Sequence, residues 1–209
     1  MIAYYSILVI ISSVLAIFTK YRHPKFYLFS KPLPVIILIV LAFSMHNVVL
    51  PYRNAIILGL FFSLIGDMFL LNKKRFFIPG LVSFLLAHLV YILAFFTIPI
   101  YHYHPWLIAL FTLTGLIVVK YLSSSTGKML FPVLFYIAAI EVMGWSATER
   151  AIMMQSMGGF LTMIGAYSFM VSDTILAINK FKSPFKSAEG LILGTYYFAQ
   201  LIIVVGISL

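Results

Sequence analysis

The chain has 209 residues, 63% of them hydrophobic and 9% charged, with a mean hydropathy of +1.11. A water-soluble fold of this length cannot hide so much apolar surface, so the composition excludes a soluble domain and points to a chain that faces lipid. The net charge of +9 gives no reason to expect a nucleic-acid partner, because the positive residues sit in short connections between apolar runs and not on a polar face.

Eight apolar runs follow one another, near 3 to 19, 33 to 48, 54 to 71, 78 to 98, 104 to 122, 129 to 147, 158 to 178 and 188 to 208. Each is close to the length of about 20 residues that a helix needs to cross a bilayer. The first run has no Lys or Arg before it and is followed by Lys20, the wrong charge order for a secretory signal, so it is expected to stay as a helix. The predicted fold is an all-α polytopic membrane bundle of about eight transmembrane helices, forming one domain over 1–209. Of the Lys and Arg residues, 12 fall in the odd-numbered loops and 2, Arg53 and Arg150, on the opposite side. That asymmetry places both termini outside the cytoplasm. Compact loops and the absence of cysteine fit a bacterial inner (plasma) membrane protein, and without cysteine there are no disulfides, thiol nucleophiles or cysteine zinc sites.

A weak internal echo links the two halves, roughly 1–100 and 101–209. The third run closes on Gly66-Asp67-Met68-Phe69-Leu70-Leu71-Asn72-Lys73 and the seventh on Ser172-Asp173-Thr174-Ile175-Leu176-Ala177-Ile178-Asn179-Lys180. The second and sixth open on Lys31-Pro32-Leu33-Pro34 and Lys128-Met129-Leu130-Phe131-Pro132. Each pair lies four helices apart, the spacing of two four-helix halves related about an axis along the membrane normal.

Two of the five acidic residues stand out. Asp67 and Asp173 lie four to five residues before the ends of their helices, so at 1.5 Å per residue both sit roughly 6 to 8 Å inside the same membrane face. A carboxylate at such depth costs at least ~2.5 kcal/mol and marks a functional candidate by default. Two carboxyls in one pocket separate into a protonated and an ionised partner, which supplies a general acid and a general base.

Four segments, in order, resemble the YhhN or lysoplasmalogenase family: Lys31 to Pro34, Ser63-Leu64-Ile65-Gly66-Asp67, Gly80 to Tyr91 with its Ala87-His88-Leu89, and Ser172 to Ala177. The resemblance implies hydrolysis of the vinyl ether bond of lysoplasmalogens to a fatty aldehyde and a glycerophospho-alcohol. It also implies that Asp67 and Asp173 are the catalytic acid-base pair, that a lysophospholipid is the substrate, and that no metal or organic cofactor is needed.

Around that pair, five residues are candidates for substrate binding. Lys31, where the second run enters, could reach the aspartates or a lipid phosphate; Ser63, one turn before Asp67, could hydrogen-bond it. His88 and Tyr91, three residues apart, are expected to line a cavity. Tyr196, with Tyr197 and Gln200 near it on the last run, could line it too, although structural hydrogen bonds suit these three better. Glu141 lies deep on the sixth run with no assigned role beyond a bond to a neighbouring helix. His102 and His104 form a His-x-His pair without a third ligand, better explained as interface residues beside Tyr101, Tyr103 and Trp106 than as a metal site. Serine-hydrolase, phosphate-loop and zincin motifs are absent. The alternative function is a proton-coupled transporter or flippase of a small or lipid-like solute, using the same two aspartates.

Overall fold

A computed structural model describes residues 1–98 and 103–209, and among them every element is helical. In chain order these are α1 (Ile2–Arg22), α2 (Pro24–Ser30), α3 (Leu33–Phe43), α4 (Leu50–Phe69), α5 (Lys73–Phe95), α6 (Pro105–Thr126), α7 (Leu130–Met154), α8 (Met157–Ala177) and α9 (Ala188–Val205). The starts follow local chemistry. Prolines occupy the first turn of α2, α3, α4 and α6, where a missing N–H costs nothing, and the Ser156 hydroxyl accepts from the Gly159 amide to cap α8. Gln155 ends α7 in the left-handed conformation, at φ 47°.

Among the described residues six stretches are long and apolar enough to cross a membrane, against the eight runs expected. The difference lies in Leu50–Phe95, of 46 residues, and Pro105–Met154, of 50, each of which contains two expected runs. A straight helix of that length would reach about 70 Å, more than twice a hydrocarbon core of ~30 Å. Neither is straight. Short 3₁₀ turns at Leu70–Asn72 and Gly127–Met129 divide them, and their halves pack face to face. In the first, Gly59 lies under the Tyr91 ring and Gly66 under Phe84, so close that a Cβ at either glycine would run into the ring; in the second, Gly115 meets Glu141. The expected run at 33–48 is also revised: its helix stops at Phe43 and is preceded by the short α2, so Lys31 sits in a tight α2–α3 junction.

Many large apolar side chains point outward, as lipid favours, with Phe29 and Phe131 the most exposed of the large hydrophobics among the described residues. Polar groups turn inward and join helices: the Thr19 and Ser30 hydroxyls meet at 2.6 Å between α1 and α2, and Ser168 and Ser172 donate to the Thr195 and Ile192 carbonyls of α9. At one end of the bundle lie the lysine-bearing connections. At the other, the guanidinium of Arg150 stacks over Tyr52 at 4.0 Å, and Glu149 binds the backbone N–H and Nδ1 of His104 and the indole of Trp145.

Candidate active site

The turn after α4 and the close of α8 bring Asp67 and Asp173 to the lysine-rich end, where both line one pocket although they are 7% exposed or less. Each carboxyl accepts a hydrogen bond from a buried tyrosine on a different helix. Tyr196 on α9 donates to Asp67 Oδ2 at 2.9 Å, and Tyr136 on α7 donates to Asp173 Oδ2 at 2.6 Å.

Their other partners differ. Lys31 Nζ lies 3.4 Å from Asp67 Oδ1 and donates to the Asp67 backbone carbonyl at 3.0 Å, both side chains being 3% exposed. The lysine is held there because Tyr197 donates to its backbone carbonyl at 2.7 Å, fastening the α2–α3 junction to α9. Asp173 has no lysine or arginine beside it among the described residues; its neighbour is His88, whose Nε2 stands 3.4 Å from Asp173 Oδ2. The imidazole is fully buried, neither ring nitrogen has a hydrogen-bond partner among the described residues, and it packs edge-on against Phe169 and Tyr136. One carboxyl therefore belongs to an ion pair, and the other sits in an uncharged frame of phenol, imidazole and phenyl rings.

The pocket between them is small, about 30 Å³, room for a water molecule. Lys73 and Glu189 stand at its edge; Glu189 is bonded to Lys73 and lies 3.7 Å from Lys20. On its apolar side Asp173 also faces a second pocket of about 50 Å³, lined by Phe77, Leu81, Tyr136, Met170 and Glu141.

Of the five substrate-binding candidates, Lys31 and Tyr196 line the carboxylate pocket, and His88 abuts it through Asp173. Ser63 does not bind Asp67: its hydroxyl accepts from Gln200 Nε2 at 2.9 Å, and Gln200 Oε1 in turn accepts from Tyr91 at 2.6 Å. That chain of Tyr91, Gln200 and Ser63 ties α5, α9 and α4 together away from the pocket, because Ser63 lies a full turn deeper than the carboxyl. Glu141 accepts from Thr114 on α6 at 2.8 Å. His104 is engaged with Glu149, while Tyr101 and His102 lie outside the described residues. Among the described residues no three His, Asp or Glu side chains gather as a metal set. Sequence reasoning missed Tyr136, Lys73 and Glu189. An aromatic within an apolar run and a lysine in a basic loop carry no signal until the fold sets them against a carboxyl.

A helical bundle with apolar side chains outward and two buried carboxyls lining one pocket has the build of an integral membrane protein. The chain belongs to the YhhN family, whose pattern it matches over residues 26–207. It is 32% identical over 157 residues to bovine lysoplasmalogenase TMEM86A, covering 73% of this chain and 65% of that protein. It is also 33% identical over 142 residues to human lysoplasmalogenase TMEM86B, covering 68% and 58%, and 34% identical over 147 residues to a lysoplasmalogenase homolog of Dictyostelium discoideum, covering 58% and 48%. The matches therefore span less than two thirds of the length of these relatives. No solved structure matches the chain.

Proposed function

We propose that this protein is a membrane hydrolase of lysoplasmalogens, cleaving the vinyl ether bond to a fatty aldehyde and a glycerophospho-alcohol. The observation that carries the reading is that two carboxyls with opposite surroundings line one small pocket. The names of its relatives support the substrate class.

The chemistry divides between the two surroundings. A buried charge needs a partner of opposite sign, so Asp67 beside Lys31 is the carboxylate, and Asp173, framed by Tyr136 and His88, carries the proton. Asp173 delivers that proton to the vinyl carbon distal to the ether oxygen, leaving an oxocarbenium ion. Water adds to the cationic carbon as Asp67 takes its proton, and the negative charge of Asp67 stabilises the cation on the way. The hemiacetal then breaks its bond to the glycerol oxygen, which gains the hydroxyl proton, while the proton held by Asp67 returns through the pocket water to Asp173. Net, one water is consumed and the enzyme is restored. Lys31 is already committed to Asp67, so the substrate phosphate falls to Lys73 at the pocket edge and to Lys20 on the far side of Glu189, in place of the Glu189 carboxylate.

The test is aldehyde release from a lysoplasmenyl lipid by the purified protein in mixed micelles. Stoichiometric aldehyde and lysolipid headgroup product are expected. No aldehyde, together with Asp67-dependent solute uptake into vesicles, would replace the hydrolase with the transporter.

A further inference from the structure

The cavities around the carboxyls hold the reacting atoms and nothing longer, since they measure about 30 and 50 Å³. A longer apolar space adjoins them. A groove of about 330 Å³ runs between α6 and α7, open to the lipid side, and apart from Thr112 and Glu141 its walls are apolar or glycine. It extends from Ile108 to Val119 on α6 and from Leu134 to Trp145 on α7. Eleven residues at 1.5 Å each give a length of about 16 Å, half of a ~30 Å hydrocarbon core, hence the reach of one hydrocarbon chain.

Its place in the fold connects it to the chemistry. Ile137 and Glu141 belong both to this groove and to the inner pocket, and Asp173 belongs both to the inner pocket and to the carboxylate cavity. Shared walls therefore link lysines, carboxyls, inner pocket and groove in that order, which is the order of phosphate, vinyl ether and hydrocarbon in a single-chain lipid. Gly115 keeps the junction open, because a Cβ there would press on Glu141 Cγ at 3.0 Å.

Resting on the hydrolase reading above, we propose that the α6–α7 groove seats the alkenyl chain of the substrate and sets its chain-length preference. The substrate enters sideways from the bilayer, and the vinyl ether reaches Asp173 past Ile137 and Glu141.

Ala138 and Thr112 line opposite walls and are exposed, so Ala138→Trp and Thr112→Trp fill the groove without disturbing the core. Each methylene kept out of an apolar seat is worth about fourfold in binding. In either variant the ratio of kcat/KM for a long-chain over a short-chain lysoplasmenyl lipid should fall at least tenfold. Leu110→Trp, on α6 but outside the groove, should leave the ratio as in wild type. A ratio unchanged in both groove variants would overturn the proposal. A second arm does not need turnover: an alkyl-ether lysophospholipid with a photoreactive chain should label α6 and α7 groove residues, and excess unlabelled lysolipid should compete. Labelling that ignores lysolipid, or that falls on other helices, would mean ordinary bilayer lipid and overturn the seat. Groove labelling in a wild-type protein that releases no aldehyde would keep the seat and sink the hydrolase reading alone.

Discussion

The unequal partners of the two aspartates predict that the same substitution has unequal effects on stability. Asp67→Asn leaves the Lys31 ammonium, 2% exposed, without its counter-ion, and an uncompensated buried charge costs about 3–5 kcal/mol. Asp173→Asn removes no ion pair; the amide oxygen still accepts from Tyr136, and the loss is about 0.5–1.5 kcal/mol for a changed hydrogen bond. Adding Lys31→Met to Asp67→Asn removes the orphaned ammonium and should recover most of the stability, with a coupling of at least ~2 kcal/mol in a double-mutant cycle. Activity should not return, because the carboxylate is gone. The assay is reversible unfolding in mixed micelles titrated with sodium dodecyl sulfate, run beside aldehyde release. Equal stabilities of the two Asn variants, or additive effects of Lys31→Met and Asp67→Asn, would refute the assignment of the ion pair to Asp67.

Asp173→Asn should keep its fold while losing about 10²- to 10⁴-fold in rate, the usual cost of removing a general acid, measured as kcat for aldehyde release. Tyr136→Phe keeps the ring but leaves Asp173 without its donor, so kcat should fall while KM changes little; an unaltered kcat would show that the 2.6 Å contact has no part in catalysis. Gly59→Ala drives a methyl into the Tyr91 ring and should destabilise the α4–α5 hairpin by about 1–3 kcal/mol in the same unfolding assay. The charge asymmetry of the loops predicts that a reporter fused after Leu209 is inactive when it requires the cytoplasm, and strong cytoplasmic activity would reverse the orientation.

Asp67 and Asp173 could be singled out from sequence because a carboxyl within an apolar run is expensive wherever it points, and its position near a helix end fixes its depth. Partners could not. Lys73 and Glu189 are 116 residues apart, and Lys31 reads as one more interfacial lysine until Tyr197 and Asp67 close around the α2–α3 junction. Ser63 shows the limit of helical spacing: it shares a face with Asp67, yet Gln200 on α9 takes its hydroxyl. Apolar runs were legible as crossings, and the breaks expected after 71 and before 129 fall at the turns Leu70–Asn72 and Gly127–Met129; what the sequence did not show is that these turns are themselves helical, so that Leu50–Phe95 and Pro105–Met154 each run on as one helical stretch. The groove could not be foreseen at all, because Ala138 and Thr112 differ from their lipid-facing neighbours only in what stands opposite them.

Proton delivery to carbon by Asp173 is the central claim, and the fate of solvent hydrogen tests it most directly. Hydrolysis of a lysoplasmenyl lipid in D₂O, with the aldehyde trapped as it forms and examined by mass spectrometry, should place one deuterium on the carbon next to the aldehyde group in every product molecule. Aldehyde formed without that deuterium, or formed at the wild-type rate by Asp173→Asn, would contradict the account.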